Sequence, residues 1–197
     1  MAKKALVLLA DGFEDVEAVT PIDYLSRAGV EVTTVSISES ITVTSKWGGI
    51  KMTACTTLAE LAKQGTDGYD AVILPGGMPG STNLASSKET GSLIKKMAAA
   101  GKTVCAICAA PALVLAPLGL LAGKNFTCYP GMEEKVNATS SDAACCADGK
   151  WSDSRVVIDG NMITSRGAGT AGEFAAAIIE KLLDKAAAKK IADAVLL

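Results

Sequence analysis

An α/β fold, doubly wound around a mostly parallel sheet with helices on both faces, is predicted by three observations on this 197-residue sequence. Short aliphatic runs end abruptly at Asp11-Gly12, at Pro75-Gly76-Gly77 and at Cys108, as central strands do when both of their faces are buried. Between those runs stand stretches whose apolar residues recur at helical spacing, the alternation that builds a parallel sheet. Apolar residues make up 49% of the chain but aromatic ones only 4%, which suits a core of aliphatic side chains. With no internal repeat or linker, residues 1–197 are expected to form one domain.

The elements follow in order. Residues 4–10 are read as the first strand. The helix after it carries Glu14 and Asp15 in its first turn, where acidic groups suit the helix dipole, and stops at Gly29. Pro21 predicts a kink midway. Residues 30–37 form a second strand, and the Ser/Thr-rich stretch after it, with Gly48-Gly49, predicts a small antiparallel excursion. A short helix over 57–63 and a strand over 69–74 come next. Ser86 with Glu89 matches a capping box ahead of a helix whose apolar face is Leu93, Ile94, Met97 and Ala98. A strand over 103–107 leads to a helix over 109–115. Residues 155–158 and 161–164 flank Asp159-Gly160, a two-residue hairpin signal. Phe174, Ile178 and Leu182 then stripe a helix over 171–184, and 186–194 forms the last.

Composition excludes several functions. The net charge is −2, and no cluster of Lys or Arg with aromatic residues offers a nucleic-acid surface. Six irregularly spaced cysteines are expected to be reduced thiols of a cytoplasmic protein. The chain has no histidine, so it lacks the commonest metal ligand and the commonest general base, and no metal site is expected. The N-terminal apolar run is stopped by Asp11, too short for a signal peptide. The charge-free stretch 103–123 is long enough to span a bilayer, but Pro111, Pro117, Gly119 and Gly123 punctuate it. It is read as a buried strand, turn and helix, so no membrane is expected.

In an open parallel sheet, ligands meet the carboxyl ends of the strands, which here are 11–17, 74–77 and 107–111. Cys108 lies where an apolar strand turns into a helix, with Ala109, Ala110 and Pro111 after it. A strained turn of this kind lifts a nucleophile out of a sheet, and a helix N-terminus lowers a thiol pKa; the other reading is a small buried apolar residue. Cys105 and Cys108 form a C-x-x-C pair, but residues three apart on a strand are ~10 Å apart, beyond disulfide reach, so Cys105 is read as core. Neighbouring Cys145 and Cys146 are read as loop thiols. Gly76 and Gly77 are read either as an ordinary tight turn or as a close approach of backbone N–H groups to a ligand. Glu14, Asp15 and Glu17 suit a solvated helix start, except that Glu17 falls beside the buried stripe of Ala18 and Ile22. A carboxylic acid held there stays protonated and donates a hydrogen bond to a thiolate.

Four segments, ALVLLADGFEDVEAV at 5–19, VILPGG at 72–77, AICAAP at 106–111 and TSRGAGT at 164–170, together resemble the ThiJ/PfpI superfamily, in particular its parkinsonism-associated deglycase branch. The resemblance covers nearly the whole chain. It implies a flavodoxin-like fold with an extra C-terminal helix, no cofactor, a small carbonyl substrate and a homodimer. It places the nucleophile at Cys108 and its carboxylic acid partner at Glu17. Backbone N–H groups of Gly76, Gly77 and Ala109 fall at the oxyanion pocket, and Arg27 and residues 165–169 near the dimer interface and site rim. The implied activities are glyoxalase III or deglycase chemistry on methylglyoxal-like carbonyls or, alternatively, oxidative-stress sensing with redox-chaperone activity through Cys108. Some relatives carry a thiazole-biosynthesis label, for which this sequence has no phosphate loop. One departure matters. Many relatives carry histidine where this chain has Tyr129, and a phenol is a poor base at neutral pH, so a slow enzyme is expected and a Cys-His protease is not.

Overall fold

A computed structural model of the chain describes residues 2–138 and 148–197; Cys145 and Cys146 lie outside the described residues. In chain order the elements are β1 (Lys4–Leu9), α1 (Asp15–Arg27), β2 (Glu31–Ser36), β3 (Thr42–Thr44), β4 (Lys51–Thr53), β5 (Thr56–Thr57), α2 (Leu58–Gln64), β6 (Ala71–Leu74), α3 (Gly80–Ser86), α4 (Lys88–Ala99) and β7 (Thr103–Ile107). A π-helical turn (Pro111–Leu115) follows, then β8 (Asn125–Phe126), α5 (Glu133–Ala138), β9 (Lys150–Trp151), β10 (Val156–Asp159), β11 (Met162–Ser165), a 3-10 turn (Ala168–Thr170), α6 (Ala171–Leu182) and α7 (Lys185–Ala194).

The main sheet has seven strands in the order β10-β11-β7-β6-β1-β2-β5, parallel except for β10 against β11. This is the mostly parallel sheet of the flavodoxin-like class, and α6 and α7 are the C-terminal helices that the sequence predicts. Alternation along β1 sorts its side chains onto two cores. Leu6 and Leu8 pack with Val104, Ala106, Ile94 and Met97 on one face. Ala5, Val7 and Leu9 pack with Cys105, Ile107, Phe174 and Ile178 on the other. Each large aliphatic side chain buried this way stabilises the fold by about 1.5–3 kcal/mol. No described helix is long and apolar enough to cross a membrane.

Helix α1 runs through Pro21 and ends as predicted, with Gly29 at φ +83°, a backbone state that glycine adopts without strain. Three expectations need correction. The α4 cap is Ser87, which accepts the Thr90 N–H, rather than Ser86; Ser86 instead ends α3, a helix that its Gly/Ser/Thr/Asn composition does not announce. In the β10–β11 hairpin Asp159 pairs with Met162, so the two-residue turn is Gly160-Asn161. The predicted helix over 109–115 widens into a π-helical turn, in which the Ala116 N–H reaches the Pro111 carbonyl at 3.0 Å. The short strands β5, β8 and β9 pair segments that have no local strand pattern.

Candidate active site

The chain leaves β1 for β2 on one side, then crosses to β6 on the other, so the loops after β1 and β6 diverge. That divergence is the switch point at which an open α/β sheet forms its crevice. The carboxyl ends of β1, β6, β7 and β11 converge there. Parallel pairing places Ser165 beside Ile107, and the Ser165 carbonyl accepts the Cys108 N–H at 2.9 Å. The Cys108 carbonyl in turn accepts the Tyr129 N–H at 2.8 Å. Both backbone groups of Cys108 are thus tied down, which holds the residue at φ 64°. A left-handed conformation costs an L-residue about 1–2 kcal/mol. It turns the thiol, half-buried, out of the strand line and toward the crevice.

Glu17 is 1% exposed. It hydrogen-bonds Cys108, the thiol donating to the carboxylate, and accepts the backbone N–H groups of Ala168 and Gly76, the latter at 2.9 Å on Oε2. Space between these groups admits no side chain. A Cβ on Gly76 would stand 2.5 Å from Glu17 Oε2 and 2.6 Å from Cys108 Cβ. Gly77 takes φ +91°, and a Cβ on it would meet the Gly12 carbonyl oxygen at 2.5 Å. The Pro-Gly-Gly turn is therefore required by close approach of three loops.

Burial raises the Glu17 pKa from its usual 4.5 to about 7, helped by the nearby Glu14 charge and opposed by hydrogen bonds from Cys108, Gly76 and Ala168. Burial also pushes the Cys108 thiol up to about 12, reinforced by the charge and hydrogen bond of Glu17; the N–H groups of Gly77 and Ala109 act in the opposite sense. This corrects the expectation of a thiol lowered by a helix N-terminus, because desolvation outweighs what two backbone donors supply. The carboxyl gives up its proton near pH 7 while burial and the Glu17 charge keep the second proton on the thiol, which donates to the carboxylate. Thiolate character at Cys108 thus depends on Glu17 taking the thiol proton.

The other predicted residues divide. The N–H groups of Gly77 and Ala109 hydrogen-bond the Cys108 sulfur. Gly76 does not join them, because its N–H is taken by Glu17. Tyr129 is 51% exposed, and its ring lies 3.5 Å from where a Cβ on Gly167 would be, while Glu17 Oε1 lies 3.8 Å from that point. Tyr129 therefore stands at the rim, across Gly167 from the pair. Residues 165–169 form the same rim, pinned by the Ser165 and Thr170 hydroxyls at 2.6 Å. Arg27 is exposed and pairs with Asp23 at 2.8 Å. Cys105 is fully buried in β7. Two groups were not legible in the sequence. Ala168 contributes only a backbone N–H, and Glu14 contributes its charge to a neighbour one turn along α1. Among the described residues no cluster of three His, Cys, Asp or Glu side chains could hold a metal ion.

A cavity of about 350 Å³ opens at the rim, lined by Tyr129, Pro130, Arg155, Arg166 and residues 167–170. A larger one, about 780 Å³, lies between α2 and α4 and is lined by no cysteine.

A cysteine at positive φ beside a buried carboxyl, at the switch point of a flavodoxin-like sheet, agrees with a match of residues 3–181 to the DJ-1/PfpI family. The chain belongs to the DJ-1/PfpI family. DJ-1 homolog B of Arabidopsis thaliana is 42% identical over 190 residues, which are 96% of this chain and 40% of that protein, so the chain spans less than half of that relative's length. Protein dj-1beta of Drosophila melanogaster is 38% identical over 196 residues, covering 100% of this chain and 98% of the relative. Its crystal structure matches with a TM-score of 0.87 over 100% of this chain and 99% of that one. A deglycase of Pyrococcus abyssi is 33% identical over 165 residues, 83% of this chain and 89% of its own.

Proposed function

We propose that the protein is a cofactor-independent, cysteine-dependent enzyme of the glyoxalase III or deglycase type, acting on methylglyoxal-like carbonyls. The observation that carries the proposal is the hydrogen bond between the Cys108 thiol and the buried Glu17 carboxyl, beside the N–H groups of Gly77 and Ala109. The deglycase name of the Pyrococcus abyssi relative supports the same chemistry.

The steps balance without an external oxidant. As the Cys108 sulfur bonds to the aldehyde carbon of methylglyoxal, its proton passes through Glu17 to the former carbonyl oxygen, giving a hemithioacetal. Gly77 and Ala109 N–H stabilise the oxyanion on the way. The Glu17 carboxylate then takes the proton from that carbon and returns it to the adjacent ketone carbon, while the hemithioacetal hydroxyl proton passes to the ketone oxygen, which oxidises the first carbon to a thioester and reduces the second to an alcohol. Water breaks the thioester, releasing lactate and the free thiol. Lactate release from methylglyoxal by the protein alone tests this scheme.

By the sequence resemblance Tyr129 falls where many family members carry histidine, so Glu17 works without an imidazole from this chain and turnover is slow. A base in this role contributes 10²–10⁴-fold. Tyr129→His is expected to raise the rate of lactate formation by at least about tenfold. A flat or lower rate in a folded variant contradicts the assigned role of this position.

We further propose a homodimer. Val16 and Val19 of α1 and Trp47 and Ile50 of the β3–β4 loop are 45–75% exposed. The loop lies against the start of α1, since a Cβ on Gly48 would stand 3.1 Å from Ile50 Cγ1 and 3.8 Å from Asp15 Oδ1. Exposed apolar side chains gathered this way suit a subunit contact. Sedimentation is expected to show a dimer that Val16→Arg converts to monomer; a monomeric wild-type protein at micromolar concentration contradicts this.

A further inference from the structure

Glu14 has a place in the site that the reaction scheme does not use. It is the N-cap of α1, and its Oε2 accepts the Glu17 N–H at 2.7 Å. Its own N–H donates to the Gly76 carbonyl at 3.0 Å, while the Gly76 N–H donates to Glu17 Oε2 at 2.9 Å. Glu14, Gly76 and Glu17 thus close a ring of three hydrogen bonds. One carboxylate fixes the start of the helix that carries the other and locks the loop that the other binds. A Cβ on neighbouring Gly77 would come 2.5 Å from the Glu14 N atom, so this loop packs directly against the start of α1. We propose that Glu14 is a positioning residue that holds Glu17 against Cys108 and, through its negative charge, sets the pH at which the pair gives up its first proton.

The charges around Glu17 support this assignment. From α1 it is faced by Glu14, with Asp15 alongside; from β7 by the Cys108 thiol; and from the β6–α3 loop and the 3-10 turn by the uncharged N–H groups of Gly76 and Ala168. The Tyr129 phenol and the Arg155 and Arg166 guanidinium groups stand farther out, around the rim cavity beyond Gly167. Arg155 is engaged by Glu173 at 2.7 Å, and the Lys46 N–H on the Phe13 carbonyl, 2.9 Å, is a backbone contact. Of the formal charges, Glu14 is the one that bears on Glu17 alongside its thiol partner. A like charge held close favours the protonated acid. Replacing it by a neutral group therefore moves the titration to lower pH.

Although the role of Glu14 rests on the Cys108–Glu17 pair proposed above, its test does not need turnover. The second-order rate of Cys108 alkylation by iodoacetamide, followed by peptide mass spectrometry, is measured against pH. In the wild-type protein it is expected to rise with a midpoint near 7, where the pair loses its first proton. Glu14→Gln and Glu14→Ser both retain a side-chain oxygen for the helix cap and remove the charge. Each is expected to shift the midpoint down by about one pH unit. Glu14→Asp keeps cap and charge and is expected to restore it. Loss of a cap alone lowers the melting temperature without moving the midpoint. Unshifted midpoints in folded Glu14→Gln or Glu14→Ser overturn the role assigned to Glu14, and so does a shift of the same size in Glu14→Asp. If methylglyoxal yields no lactate while these shifts occur, the proposed reaction fails and the role of Glu14 stands.

Discussion

Cys108→Ser is expected to reduce lactate formation from methylglyoxal by at least about 10³-fold, the scale on which removal of a covalent nucleophile acts. A serine hydroxyl can occupy the elbow and accept the Gly77 and Ala109 N–H groups, but Glu17 cannot deprotonate it as it does a thiol. Cys105→Ser separates the chemistry from the cysteine count. Cys105 is fully buried between Ile73 and Ile163, so its replacement leaves a hydroxyl in an apolar layer and costs about 1–3 kcal/mol of stability. The rate per folded molecule is expected to remain. Steady-state kinetics with thermal melts on both variants check this; equal loss of activity in the two would assign the reaction to the fold as a whole.

Glu17→Gln is expected to slow the reaction by 10²–10⁴-fold and to change two pH profiles in opposite senses. Wild-type activity rises with pH through about 7, as the buried carboxyl becomes the base that accepts the thiol proton. Glutamine removes that rising limb. Stability runs the other way. The folded protein keeps the Glu17 proton up to about pH 7, whereas an unfolded chain releases it near 4.5. The contribution of this group is therefore fully present below pH 4.5 and is lost as pH rises through 7, an effect of about 3 kcal/mol in all. Glu17→Gln cannot ionise, so the decline between these pH values flattens and the variant becomes the more stable protein above pH 7. Denaturant melts across that range, beside the kinetic profile, check both signs. A variant less stable than wild type at pH 8 would show that the carboxylate is not held at a cost.

The parts of the fold that were legible in the sequence are those where one face or one conformation is forced. The aliphatic runs of β1, β6 and β7 had to be buried on both faces, and the stripe of Phe174, Ile178 and Leu182 had to meet a sheet. Pro75-Gly76-Gly77 and Cys108 mark the ends of strands whose loops the fold brings into close approach. Other features depend on distant partners. Helix α3 has weak helical propensity and forms because Ser81 and Leu84 are buried against the rest of the fold. Strands β8 and β9 are two residues each and pair across more than twenty positions. The direction of the Cys108 shift is not legible because a helix terminus is visible in sequence, whereas the burial that desolvates the thiol is not. Gly76 was placed among the oxyanion donors for the same reason, since only the folded chain shows its N–H committed to Glu17.

The most direct test of the central claim is a titration of wild-type activity against occupancy of Cys108. The protein, in buffer without added thiol or metal, is alkylated in steps with iodoacetamide. At each step the lactate formed from methylglyoxal is measured by NMR, and modification of each cysteine is read from peptide masses. Cys55 is the exposed control thiol among the described residues. The expected result is lactate production that falls in proportion to unmodified Cys108, reaches zero when Cys108 is fully blocked, and is indifferent to the state of Cys55. Lactate formation that continues at the wild-type rate with Cys108 fully alkylated would contradict the proposed function.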